Sequence, residues 1–281
     1  MDGKVCVITG GTSGIGLVAA GTLAQQGARL VLVAREKARG EAAMARIRER
    51  ARSAEISIHY GDLSRLQEMH RLGREIAAAE PKIDVLMNNA GAMFSRRSVT
   101  EDGLERTFAV NHMAYFVLTH RLRERLIAAA PSRVVSTASE AHRRERLDFD
   151  DLQSARSYRA LRVYGRSKLC NILFTRELAR RLAGSGVTAN SLHPGFVATR
   201  IADNNGGLFR VGVGIAKSFF ALSPEKGAET MVYLATSPDV ARVTGGYFDK
   251  SRPAVPTAAA QDDAAARHLW EESARIARLP T

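Results

Sequence analysis

Cysteine is nearly absent: among 281 residues only Cys6 and Cys170 carry a thiol. They lie far apart, on segments that read as a strand and a helix. Such a pair gives neither a disulfide framework nor a metal-ligand spacing, so no metal is expected and a reducing cytoplasm is the compartment that fits. Long apolar runs are missing too. No stretch approaches the roughly 18 consecutive apolar residues of a membrane-crossing helix, so no integral membrane segment is expected. The opening MDGKVCVITG enters a strand pattern at once, so no leader or anchor is expected. Linkers, internal repeats and low-complexity tracts are also lacking, and residues 1–281 read as a single domain.

Charge is plentiful but one-sided, with a net charge of +12 and an isoelectric point near 10.3. The excess is arginine spread over many helix faces, as at Arg46, Arg48, Arg50, Arg121, Arg123 and Arg125. No nucleic-acid motif accompanies it, so no nucleic-acid partner is expected. A positive field would still draw in an anionic cofactor.

Short β-branched runs alternate with longer helical patterns. Strands are expected at Val5–Thr9, Arg29–Ala34, Ile56–Tyr60, Val85–Asn88, Arg133–Thr137 and Thr188–Leu192, with a last one near Gly246–Phe248. Helices are expected at Gly14–Gln26, Glu36–Arg52, Arg65–Ala79, Gly103–Ala129, Tyr158–Leu182 and Pro224–Thr236. This β-α-β order predicts an α/β fold: one doubly wound parallel sheet of about seven strands with helices on both faces. Two segments break the rhythm, His142–Ser157 and Phe196–Leu222. The second, rich in both glycine and apolar residues, reads as a lid over about 196–222. An alanine-rich tail over about 253–281 ends in a short helix around Trp270, expected to pack on the surface.

Directly after the first strand comes Thr9-Gly10-Gly11-Thr12-Ser13-Gly14-Ile15-Gly16, leading into a helix. Glycines there permit a tight turn and a close approach of backbone to a pyrophosphate, while the helix N-terminus offers free N–H groups. Strand before and helix after are the context that separates this turn from a plain loop. At the end of the second strand stands Arg35, with Arg39 one helical turn on. An acid in that place favours NAD and an arginine favours the 2′-phosphate of NADP, so NADP(H) is the expected cofactor. A further solvated surface arginine is the competing reading. After the third strand, Asp62 and Leu63 are placed to hold an adenine, although Asp62 or Ser64 could equally cap the next helix.

Tyr164 and Lys168 stand four residues apart and share a helix face. A phenol titrates near 10 and serves poorly in acid–base chemistry until a neighbouring ammonium favours its anion. Ser139 lies just past the fifth strand, at the carboxyl end where open α/β sheets bind ligands. Ser136, inside that strand, reads as structural.

Together these segments resemble the short-chain dehydrogenase/reductase family. Thr9–Gly16 is similar to its TGxxxGxG turn, Asn88-Asn89-Ala90-Gly91 to its NNAG motif and Tyr164–Lys168 to its YxxxK. Asn111 resembles the asparagine of its catalytic tetrad, and Pro194-Gly195 with Thr199 its PG-x-x-x-T segment. The likeness runs from about Lys4 to Phe248. Within the family it is nearest the retinol dehydrogenase group, on Ala34-Arg35-Glu36, Asn111-His112, Ser139-Glu140-Ala141-His142 and Leu173–Leu178. The animal members' membrane anchor is not found, and Ala138 stands where a second serine is usual.

The resemblance implies a Rossmann fold and an NADP(H)-dependent oxidoreductase acting on a hydrophobic small-molecule carbonyl or alcohol. It implies Ser139 and Tyr164 on the substrate oxygen, and Lys168 on the ribose hydroxyls lowering the tyrosine pKa. Asn111 would anchor a water that returns protons to Lys168. Asn89, Ala90, Gly91, Pro194, Gly195, Val197 and Thr199 would line the nicotinamide half of the cofactor. By the same likeness, the two long helices Gly103–Ala129 and Tyr158–Leu182 would be homodimer faces. A ketoreductase tailoring a natural product such as a polyketide fits the same chemistry. A non-catalytic NADP-binding regulator is the alternative of another class.

Overall fold

The computed structural model describes residues 1–195 and 223–281. The expected lid, with Val197 and Thr199, lies outside the described residues. Elements are numbered below over the described residues only.

The first two strands are apolar at almost every position because both faces are covered, as parallel sheets require. Strand β1 (Val5–Thr9) shows the division: Cys6 and Ile8 pack into one apolar cluster and Val7 into the other. Strand β2 (Arg29–Ala34) repeats it, with Leu30 and Leu32 on one face and Val31 and Val33 on the opposite one. The remaining strands are β3 (Ile56–Tyr60), β4 (Val85–Asn88), β5 (Ser132–Thr137), β6 (Val187–His193), β7 (Tyr247–Asp249) and β8 (Arg252–Pro253). They form an eight-stranded sheet in the order β3-β2-β1-β4-β5-β6-β7-β8. All neighbours are parallel except the final pair, β7 with β8. The eighth strand, a two-residue antiparallel edge, is too short to leave a periodic signal in the sequence.

Helices α1 (Gly14–Gln25) and α2 (Lys37–Arg50) cover one face with α6 (Pro224–Thr236). The other face carries α3 (Leu66–Ala79), α4 (Ala114–Ala128), α5 (Ala160–Arg181) and α7 (Asp263–Ala277). Helix α3 buries Met69, Leu72, Gly73 and Ile76, the spacing of one helical face. Ser223 caps α6, its side chain accepting from Lys226 N at 3.3 Å with Pro224 in the first turn. The expected helix over Gly103–Ala129 proves composite. It starts at Arg106–Phe108, passes through a π turn at Ala109–Met113 and only then runs on as α4. The irregular stretch before α5 holds two short 3₁₀ turns, Glu140–Arg144 and Phe149–Asp151.

The tail differs from its expected surface position. Asp262 caps α7 through bonds of 2.9 Å from Ala264 N and Ala265 N, and the helix lays Trp270 into the core at 8% exposure. The indole stacks on Phe174 at 5.9 Å and stands edge-on to Phe116 at 4.9 Å, with the Arg181 guanidinium 4.6 Å from its ring centre. Alanine-rich sequence hides this role, since the helix buries only Leu269 and Trp270 as large side chains among alanines and Ser273. Through Trp270 the C-terminal helix thus packs on both long helices, at Phe116 of α4 and Phe174 of α5. Trp270→Ala should cost about 3 kcal/mol or more, lowering Tm by roughly 6 °C in a thermal melt. An unchanged Tm would show that α7 is only loosely attached.

Candidate active site

Chain order reverses at β1. From there the sheet grows outward through β2 and β3, then restarts on β1's other side with β4. At such a reversal the connecting loops diverge and leave a crevice at the strands' carboxyl ends. The glycine turn enters it from β1 and Asn88-Asn89 from β4.

Thr9, the first residue of the glycine motif, is the clasp between them. Its hydroxyl donates to Met87 O at 3.3 Å and accepts from Asn89 N and Ala90 N at 3.0 and 3.1 Å. Asn89 answers by donating its amide to Thr9 O and Gly10 O, each at 3.2 Å, and accepts from Thr137 Oγ1 at 3.3 Å. Asn89 therefore holds the turn, which leaves Gly91 nearest the crevice: a Cβ there would stand 3.4 Å from Lys168 Nζ. Gly10 has a φ of +68°, and a Cβ on Gly16 would lie 2.3 Å from the Gly10 carbonyl oxygen, so both positions require glycine. Ser13 is the N-cap of α1 but makes no side-chain cap bond, leaving its hydroxyl beside the open first-turn N–H groups. Thr12 is half-buried alongside. Ile15 is 6% exposed with its side chain in the core, so only its backbone can face a ligand. The cradle fits a pyrophosphate. No group of three or more His, Cys, Asp or Glu side chains that could hold a metal occurs among the described residues.

Arg35 leaves the end of β2 and pairs with Glu36 at 3.0 Å, while Arg39 approaches the other Glu36 oxygen at 3.2 Å. Two exposed guanidinium groups thus converge on one carboxylate. Asp62 Oδ1 accepts from Ser64 N at 2.9 Å, closing a turn. Helix α3 starts later, after an extended Arg65, so neither Asp62 nor Ser64 caps it. Leu63 leans on the core.

At the chemical end, β5 stops at Thr137 and the chain turns into the 3₁₀ segment capped by Ser139, whose Oγ accepts from Ala141 N at 3.2 Å. Helix α5 runs past this point. From it Lys168 Nζ donates to Thr137 O at 3.0 Å, and Asn171, one turn on, donates to the same carbonyl at 3.0 Å. The ammonium lies 5.6 Å from the Tyr164 ring centre and 5.8 Å from that of Tyr115. Tyr164 is hydrogen-bonded to Ser139. Burial pushes the Tyr164 phenol up to about 12, opposed by the Ser139 hydroxyl, and burial brings Lys168 down to about 7. The tyrosine pKa is therefore not lowered in this state, because desolvation outweighs the Ser139 hydroxyl. Such a phenol is a kept donor rather than a ready base. Ser136 is fully buried within β5, as its position inside the strand suggests.

Asn111 sits in the π turn. Its Oδ1 accepts from Ala92 N at 2.8 Å, and its amide donates to Ala92 O at 3.0 Å and Ser167 Oγ at 2.9 Å. Both amide hydrogens are spent on protein partners, so the side chain pins the Gly91–Ala92 strand exit against α5. Pro194 and Gly195 (φ +81°) follow β6 directly, closing the described part of the site. The sequence passes over Thr137, Tyr115 and Asn171, and names Thr9 only as the head of the glycine turn. Asn171 alone has a signal there, three residues beyond Lys168 on the same face.

The short chain dehydrogenase family matches residues 4–206. The chain belongs to the short-chain dehydrogenase family. Human retinol dehydrogenase 13 is 39% identical over 284 residues, spanning 99% of this chain and 86% of that protein. Human retinol dehydrogenase 11 is 39% identical over 280 residues, spanning 100% and 87%. This short-chain dehydrogenase is accordingly retinol dehydrogenase-like, an oxidoreductase of a family that binds nicotinamide cofactors. Among solved structures, one from Mycobacterium paratuberculosis superposes with a TM-score of 0.81 at 29% identity, covering 100% of this chain and 96% of that one. Another, from Beutenbergia cavernae, assigned as an NAD(P)-dependent gluconate 5-dehydrogenase with NADP at low occupancy, reaches 0.71 at 26% identity, covering 89% and 96%. No helix among the described residues is long and apolar enough to cross a membrane.

Proposed function

We propose that this short-chain dehydrogenase reduces a ketone or aldehyde on a hydrophobic small molecule with NADPH, or oxidises the alcohol, and that Tyr164 is the proton donor. The observation that carries the reading is the meeting of Ser139, Tyr164 and Lys168 at the carboxyl end of β5, with Lys168 Nζ fixed on Thr137 O at 3.0 Å. Bound in the crevice, the nicotinamide supplies the hydride. Ser139 Oγ–H and Tyr164 Oη–H both point their hydrogens at the substrate oxygen, and Tyr164 gives its proton as that oxygen gains charge. An ammonium has three hydrogens and Thr137 O takes one, so Lys168 keeps two for the ribose hydroxyls. Asn111 and Asn89 hold the loops that place these groups.

The preference for NADP rests on Arg35 and Arg39, whose shared Glu36 can be exchanged for a 2′-phosphate. Arg35→Asp should weaken NADPH at least about tenfold and NADH little, since a charge-assisted bond contributes roughly 1.5–3 kcal/mol. Equal binding of both cofactors by the unaltered enzyme would sink this assignment. The relatives' names point to a retinol-like alcohol or aldehyde. The apolar residues between 196 and 222, read from sequence only, favour the same kind of substrate. Cys6 and Cys170 are unpaired and buried, which supports a reducing compartment such as the cytoplasm.

The test follows NADPH consumption with ketones and aldehydes of rising apolar size. Turnover should improve with hydrocarbon area, and no turnover with any carbonyl would favour the non-catalytic binder. The pH profile has a definite sign. With its pKa near 7, Lys168 is charged below that pH and neutral above, while Tyr164 at about 12 stays protonated throughout. Reductive kcat/KM should be level below about pH 7 and fall above it. A break at the same pH in Lys168→Arg would show that another group titrates.

A further inference from the structure

Ser139 is held from behind by a histidine the chemistry does not use. His142 is completely buried, and its Nδ1 lies 2.6 Å from the Ser139 carbonyl oxygen, with His142 N bonding the same oxygen at 3.1 Å. A carbonyl only accepts, so Nδ1 carries the hydrogen. The other ring nitrogen, Nε2, is buried without a partner among the described residues. An imidazole with one unanswered nitrogen is a costly way to fill space, and an apolar side chain would avoid the penalty. What the imidazole adds is its bond to the serine.

The next tether is Glu140. Its backbone N–H donates to His193 Nδ1 at 3.3 Å, one residue before Pro194, and its carboxylate accepts from Tyr247 Oη at 3.0 Å. Arg143 pairs with the second carboxylate oxygen. The Tyr247 ring in turn stands edge-on to His142, with centroids 5.3 Å apart. Glu140 and His142 thus fasten the serine loop to the ends of β6 and β7, next to Pro194 and Gly195.

We propose that His142 is a positioning residue: its Nδ1–H fixes the main chain of Ser139 so that Oγ meets Tyr164, with Glu140 and Tyr247 bracing the same loop. The inference rests on the reading of Ser139 and Tyr164 as the pair that holds the substrate oxygen. Misplacing such a group by about 1 Å can lower turnover on the order of a hundredfold.

The test combines His142→Leu, His142→Asn and Ser139→Ala, singly and paired, with kcat, KM, NADPH affinity and Tm measured on each. His142→Leu should lower kcat by about 10- to 100-fold with NADPH affinity within about twofold. His142→Asn, whose amide can place an N–H near the Nδ1 position, should recover most of that loss. On the Ser139→Ala background, followed in single turnovers with excess enzyme, His142→Leu should lower the rate by less than about threefold, because the group it positions is gone. Independent losses that multiply would overturn the proposal, as would an asparagine variant no better than leucine. If His142→Leu does not fold, Tyr247→Phe takes its place: a loss confined to the Ser139 background supports the bracing, and equal losses on both backgrounds overturn it. Wild-type turnover in Ser139→Ala would instead remove the reading beneath, and the proposal with it.

Discussion

Tyr164→Phe is expected to lower carbonyl reduction by at least about a thousandfold in kcat while leaving the fold and nicotinamide-cofactor binding intact. General acid catalysis by one positioned group contributes roughly 10²–10⁴-fold, and the phenol is the group here whose proton is secure. Burial holds its pKa near 12, so at neutral pH it is protonated in nearly every molecule. The ring itself is retained in phenylalanine, and the bond lost in the protein is the one to Ser139. Lys168 stays fixed on Thr137 O, so the cofactor's side of the site is undisturbed. Cofactor fluorescence titration and steady-state reduction assays separate the two quantities. Substantial residual reduction would mean that Ser139 or a bound water delivers the proton. Tyr115, the other phenol near Lys168, has no hydrogen-bond partner for its hydroxyl among the described residues and is fully buried, so it has no route to substrate. Tyr115→Phe is the matched control and should retain turnover.

Much of this arrangement is legible in the chain because it depends on short-range rules. Buried parallel strands are nearly continuous apolar runs, and β1, β2, β3 and β4 begin and end where their β-branched runs do. The glycine turn is legible because a close backbone approach admits no side chain. What stays hidden depends on long-range partners. Thr9 looks like an ordinary strand end, yet its hydroxyl ties together loops nearly 80 positions apart, as the Thr9–Ala90 bond does across 81. Asn111 reads as a proton-relay residue by likeness, and the bonds of its amide to Ala92 and Ser167 are a second, structural role that the sequence does not announce. Nothing in the sequence reports the π turn around it, since extra backbone in a helix leaves the apolar spacing almost unchanged. Trp270 fails for the opposite reason: the surrounding alanines dilute a core residue into what reads as a surface tail.

Two glycines of helix α1 should respond in opposite ways to the same added methyl group. A Cβ on Gly16 would lie 2.3 Å from the Gly10 carbonyl oxygen and 2.5 Å from Asn89 Nδ2. Neither neighbour is a loose side-chain tip. The carbonyl belongs to the turn itself, and the Asn89 amide is bonded to Thr9 O and Gly10 O. Gly16→Ala must therefore push the turn away from the helix, at an overpacking cost of about 1–3 kcal/mol. If that strain falls on the cofactor-bound form, affinity for NADPH drops by roughly 10- to 100-fold, with kcat at saturating cofactor less affected. At Gly21, five residues along, the nearest atom to a built Cβ is Arg50 Cδ at 3.9 Å, an ordinary contact. Gly21→Ala relieves the helix of a glycine without crowding anything, so it should stabilise by about 0.5–1 kcal/mol and leave NADPH affinity unchanged. The paired measurement separates a glycine kept for close approach from one that is not. Equal NADPH affinities in the two variants would show that the turn can yield, and that the fit of cofactor to helix N-terminus is looser than the packing of Gly16 requires.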